Sequence, residues 1–154
     1  MITPQQFIQL LPLAVKWAEQ QEAHILKNGV PLTAAQINDA RLVSVVNPQK
    51  VRLLKVSQIP LPDEPLLKNA AQSVSLITPN TIGLTLQYGI LVRSDFWGDR
   101  RLIVHELVHV AQYEKLGGFS GFLNQYLQEC IKFGYPQAPM EQEAINLSKG
   151  AVIG

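Results

Sequence analysis

Apolar residues recur at helical spacing near the start of the chain, where Phe7, Leu10, Leu11, Ala14, Trp17 and Ala18 fall on one stripe. Thr3 precedes this stripe as a helix cap, Pro4 takes the first helical position and Gln6 closes a capping box. Asn28-Gly29 ends the pattern, and Pro12 predicts either a kink or the start of a second helix. Thr33-Ala-Ala-Gln36 repeats the capping signature and predicts a short helix to about Val45. The pattern then changes period. Val51 to Ser57 is β-prone and stops at Ile59-Pro-Leu-Pro62, an ordered loop, with one or two helical turns expected over 66–73. Ile82, Leu84, Leu86, Tyr88, Ile90 and Val92 share one parity, with Thr85 and Gln87 between, which predicts strand. Gly83 and Gly89 mark bulges or a hairpin corner in that ribbon.

The run Arg101-Leu-Ile-Val-His105-Glu106-Leu-Val-His109-Val-Ala-Gln112-Tyr113 is apolar nearly all round, so its helix must be buried. Ser94-Asp95 is the expected cap and Phe96 and Trp97 a hydrophobic lid, while Asp99, Arg100 and Arg101 form a solvated first turn. Lys115-Leu-Gly-Gly118 ends it. Phe119, Phe122, Leu123, Tyr126 and Leu127 predict a further amphipathic helix that stops at Gly134-Tyr135-Pro136, and another opens near Pro139. The expectation is one α+β domain over residues 1–154. It has N-terminal helices, a small sheet of about three strands, and C-terminal helices carrying the chemistry.

That chemistry lies in H-E-x-x-H. A four-residue step on a helix is about 400° of rotation and about 6 Å of rise, so His105 and His109 share one face. Two neutral imidazoles so placed can reach one zinc ion, while Glu106, about 100° further round, stands beside the metal. From there a carboxylate accepts a proton from a water that zinc has acidified. Burying two histidines and a glutamate without partners costs several kcal/mol, and a shared metal removes that cost. A third protein ligand is needed. No histidine follows His109, and the carboxylates that remain are Glu114, Glu129, Glu141 and Glu143. Glu114 points away round the same helix, Glu129 falls in the middle of the next, and Glu141 and Glu143 open the last.

The His105 helix followed by a glutamate on a later helix resembles the gluzincin branch of the zinc metallopeptidases. Residues His105 to Gln112 are similar to compact bacterial zincin-like domains of the H-E-L-x-H-x-x-Q type. The likeness covers about the second half of the chain. The family's third ligand is a glutamate with a small residue three positions on; Glu141-Gln-Glu-Ala144 has that spacing, and Ile145 stands where the family has an acid. The resemblance thus implies zinc held by His105, His109 and Glu141, Glu106 as the catalytic base, and a peptide or protein substrate. It also implies a sheet edge leading into the site as a ledge for extended substrate, here Gly89 to Arg93. Tyr135 is a candidate donor to a developing oxyanion, with Tyr113 and Tyr126 as rivals.

A net charge of +1 without a basic run leaves no electrostatic footprint for nucleic acid. The single cysteine, Cys130, excludes an intramolecular disulfide and fits a core position in a reducing compartment. No secretory signal and no membrane span are expected, hence a soluble cytoplasmic protein. His24 reads as a surface residue. Zinc-dependent peptide hydrolysis is the expected function. The alternatives are a non-catalytic zincin-like binding module with structural zinc and a metal-free scaffold.

Overall fold

The computed structural model describes residues 2–153. Helix α1, Pro4–Asn28, carries the Thr3/Gln6 capping box and runs through Pro12 without ending. Pro12 is exposed, so the carbonyl it leaves unpaired one turn earlier faces water. Strand β1 is only Val30–Pro31 and lies outside the three strands expected. Helix α2, Ala34–Leu42, again has its capping box and stops short of Val45, because Ser44 adopts a positive φ of 74°. Strand β2, Arg52–Val56, and helix α3, Pro65–Ser73, follow.

The ribbon is a hairpin of β3, Gly83–Leu86, and β4, Gly89–Arg93. Its corner is Gln87-Tyr88, with Gln87 at φ 61°, rather than either glycine. β2 and β4 run parallel, β1 and β3 pair antiparallel on the outside, and the order is β1-β2-β4-β3. Among the described residues the fold is therefore mixed α/β, with six α-helices and a four-stranded sheet. β4 is an interior strand, so Gly89 to Arg93 cannot be a substrate ledge; the free edge beside the site is β3.

Helix α4, Arg100–Lys115, and helix α5, Phe119–Phe133, lead into α6, Pro139–Ile153. The sheet has helices on both faces. Leu86 and Leu91 join Leu10, Ala14, Ala18 of α1 and Phe122, Leu123 of α5 in one core. Leu53, Ile90 and Val92 join Ile103, Val104 and Leu107 of α4 in the other. Each such aliphatic side chain contributes about 1.5–3 kcal/mol when fully buried. Ten of the sixteen residues of α4 are buried, which makes it the central helix on which the site is mounted.

Asp99, not Ser94 or Asp95, caps α4, accepting from Leu102 N at 2.9 Å. Ser94–Phe96 forms a 3-10 turn, and Asp95 pairs with Arg93. Arg100, expected to be solvated, forms a two-pronged pair with the buried Asp39 of α2 and so ties the two helices together. No helix among the described residues is long and apolar enough to cross a membrane.

Candidate metal centre

α4 presents His105 and His109 on one face, as the spacing requires. The α5–α6 turn brings Glu141, in the first turn of α6, against both. His105 Nε2 lies 2.6 Å from Glu141 Oε1, and His109 Nε2 lies 3.0 Å from Glu141 Oε2. Glu141 is 2% exposed and His109 5%. Donor atoms of His105, His109 and Glu141 all lie within 4.8 Å of one another, so this group could hold a metal ion.

The chemistry of the donors fits a small divalent cation. Tetrahedral bonds of about 2.0–2.1 Å place ligand atoms about 3.3 Å apart; the 3.0 Å pair is near that spacing, and the 2.6 Å pair is a hydrogen-bond contact that must open to admit an ion. Hydrogen bonding also selects the tautomer. Gln112 Nε2 donates to Met140 O at 3.0 Å and to Glu143 Oε1 at 2.9 Å, so its amide oxygen must face His109. That oxygen, 2.8 Å from His109 Nδ1, accepts the ring N–H and leaves Nε2 free as a ligand. Tyr126 donates its hydroxyl proton to Glu141 Oε2 at 2.8 Å, and the Tyr135 hydroxyl stands 3.4 Å from Oε1.

These contacts set the charge state. Burial disfavours a charged His109, yet the Glu141 carboxylate beside it lifts the imidazole from the usual 6.5 to about 9. Burial likewise opposes ionised Glu141, but the two imidazoles hold it well below the usual carboxylate range. Tyr126 and Tyr135 are both raised, by burial first and then by the Glu141 charge. Without metal the group is a buried ion pair, and the same carboxylate and nitrogens could hold a metal ion.

Glu106 is also buried, but it points beside this group. Its Oε1 accepts from the Thr85 hydroxyl of β3 at 2.8 Å, while Oε2 lies 4.0 Å from His105 Nε2, beyond hydrogen-bond range. β3 can approach because position 83 is glycine: a Cβ there would fall 3.0 Å from Leu102 and 3.2 Å from Glu106 Oε2.

The other candidates sit elsewhere. Glu129 accepts from Met140 N at 2.8 Å and caps α6, while Glu143 is held by Gln112. Glu114 is bound to the loop after α2. Tyr113 is buried in the core with its hydroxyl turned to Thr85 O. The Cys130 thiol is buried and pushed up to about 12 by that burial. Thr85 and Gln112 are site residues the spacing analysis gave no role. Gln112 had a local signal, three residues past His109 on the same helix; Thr85 had none, because a hairpin far along the chain delivers it.

No family model matches the chain, and no curated protein or solved structure matches it either. The likeness to zincins therefore rests on the motif residues alone.

Proposed function

We propose that this chain is a zinc-dependent peptide-bond hydrolase of the compact zincin-like kind. The observation that carries the reading is the convergence of His105, His109 and Glu141 with a carboxylate beside them that is left half-satisfied. When bound, zinc supplies a Lewis acid and lowers the pKa of water to near 7. His105 and His109 would hold it through Nε2, and Glu141 through its carboxylate, which Tyr126 anchors. Thr85 fixes Glu106 through Oε1. Glu106 Oε2 then takes the proton of the attacking water and hands it to the leaving amine. The Tyr135 hydroxyl, raised so that it keeps its proton, donates to the carbonyl oxygen as charge builds there. The free edge of β3 offers backbone groups to an extended substrate, which would add to the sheet as a further strand.

A structural zinc site has four protein ligands. Glu129 and Glu143, the residues that would close such a shell, are engaged by Met140 and Gln112, which favours the hydrolase over the non-catalytic module. The test is digestion of a mixed peptide library by the zinc-loaded protein, with products read by mass spectrometry. New termini absent from the Glu106→Gln digest support the reading. An undigested library, or the same products from both proteins, contradicts it.

A further inference from the structure

Beside the metal group the surface opens into a groove of about 510 Å³, lined by His105, Glu106 and Tyr135 of the site and by Thr78, Asn80 and Arg101. Ligand clefts run to about 300–1,000 Å³, so the groove has room for a stretch of peptide. Arg101 stands four residues before His105 on α4, on the helix face that the two histidines share and about 6 Å back along the axis. Three arginines stand about the start of α4, and they are partnered unequally. Arg93 pairs with Asp95 and Arg100 with Asp39, each through two bonds. Arg101 is exposed, and among the described residues its guanidinium has no carboxylate within ion-pair distance. Asp99, its neighbour in the chain, is taken up in capping Leu102 N at 2.9 Å. A cation in the first turn of a helix faces the positive end of the macrodipole, which disfavours it. For Arg100 the Asp39 carboxylate offsets that; among the described residues nothing does so for Arg101.

We infer that Arg101 binds a carboxylate of the substrate in this groove, and that the protein selects peptides carrying one close to the bond cleaved. The inference rests on the peptidase reading above and names the substrate class for that same site. Two features make a carboxylate the partner. A guanidinium offers paired N–H donors that match the two carboxylate oxygens. An anion held there also meets the amide end of α4, where the arginine alone opposes it. Reach sets the spacing. Helical side chains lean towards the start of their helix, so the guanidinium lies further from the metal group than its own backbone does. At about 3.3–3.6 Å per extended residue, the carboxylate falls about two or three residues from the reacting carbonyl. A peptide has two sources of that group, its C-terminal carboxylate and the side chain of an Asp or Glu.

Calorimetry on zinc-loaded protein tests the subsite without any cleavage. Acetohydroxamate is compared with the monohydroxamates of succinic, adipic and suberic acids, each as free acid and as methyl ester. Because the guanidinium is exposed, the expected gain of acid over ester is about three- to tenfold at the best-fitting length, and it shrinks as salt is raised. In Arg101→Gln acid and ester bind alike; Arg101→Lys keeps part of the gain, since the charge remains and the paired donors are lost. Acids that bind no better than their esters at any length, or a gain that survives in Arg101→Gln, overturn the inference, and acetohydroxamate binding in the same experiment leaves the metal centre standing. Digestion of the peptide library with free and with amidated C-termini identifies the source. Cuts lost on amidation assign the terminal carboxylate, and cuts near Asp or Glu that persist assign the side chain. Cuts with neither preference overturn the inference and leave the peptidase reading intact. An undigested library overturns the peptidase reading and, with it, the assignment to peptides. A protein that takes up no zinc and binds none of the hydroxamates overturns both.

Discussion

Helix α4 carries two inward carboxylates about two turns apart, and they are treated differently. Glu114 is saturated. It accepts from Val46 N at 2.8 Å, Asn47 N at 3.0 Å, Asn47 Nδ2 at 3.1 Å and Tyr88 OH at 2.8 Å. Both oxygens are engaged, Oε1 once and Oε2 three times, and the residue pins the loop after α2 and the hairpin corner onto the central helix. Among the described residues Glu106 has one donor, Thr85, on Oε1 and none on Oε2, which faces the metal group. A carboxylate that is fully bonded holds structure; one that is held at a single oxygen keeps the other for proton transfer. Glu106 is the more deeply buried of the two, and it is also the one that keeps unused valence.

The comparison breaks most sharply at Glu106. Glu106→Gln keeps the shape and the Thr85 contact but removes the base. We expect kcat to fall by about 10²–10⁴-fold with zinc content and melting temperature unchanged, measured on any peptide the native protein cleaves. Glu114→Ala should do the reverse. Hydrogen bonds to a charged group are worth about 1.5–3 kcal/mol each and are not additive; since Glu114 is partly exposed, a loss of about 2 kcal/mol is expected in denaturant unfolding. Turnover per bound zinc should not change. An active-site defect in Glu114→Ala, or a stability defect in Glu106→Gln, would erase the distinction.

Smaller effects sharpen it. Gln112→Ala frees the His109 ring and its tautomer, and loss of such a supporting contact weakens metal affinity by about 10–100-fold, read by competition with a zinc chelator. The pH dependence has a definite sign. His109 is raised to about 9 without metal, so its contribution to stability is complete below the usual 6.5 and is lost as pH rises through about 9. Glu141 is lowered, so its contribution is present above the usual 4.5 and lost as pH falls. Metal-free protein should therefore be most stable between these values and weaken toward pH 9. Zinc needs the neutral imidazole, so its affinity should rise by up to about tenfold per pH unit over 6.5 to 9 and then level.

How much of this was legible in the sequence follows from range. The capping boxes at Thr3/Gln6 and Thr33/Gln36 and the shared face of His105 and His109 depend on steps of three or four residues, and the structure has them where the spacing places them. Glu141 was reachable only through the family likeness, since Glu129, Glu141 and Glu143 were otherwise equivalent; packing separates them. The cap of α4 was misread because Arg93 captures Asp95 in the preceding turn, and Asp99 is left to take the helix end. β4 was misread as an edge because nothing local announces that β2, more than thirty residues earlier, returns to lie parallel beside it. The Thr85 contact and the Gly83 approach are products of tertiary packing, and no periodicity encodes them.

The most direct test of the account is the zinc content of the native protein beside Glu141→Ala and Glu143→Ala, by elemental analysis after zinc is supplied and excess removed. The account predicts close to one zinc per chain in the native protein and in Glu143→Ala, and little in Glu141→Ala. A native protein that takes up no zinc, or a Glu141→Ala variant that keeps it, would contradict the claim that His105, His109 and Glu141 form a metal centre.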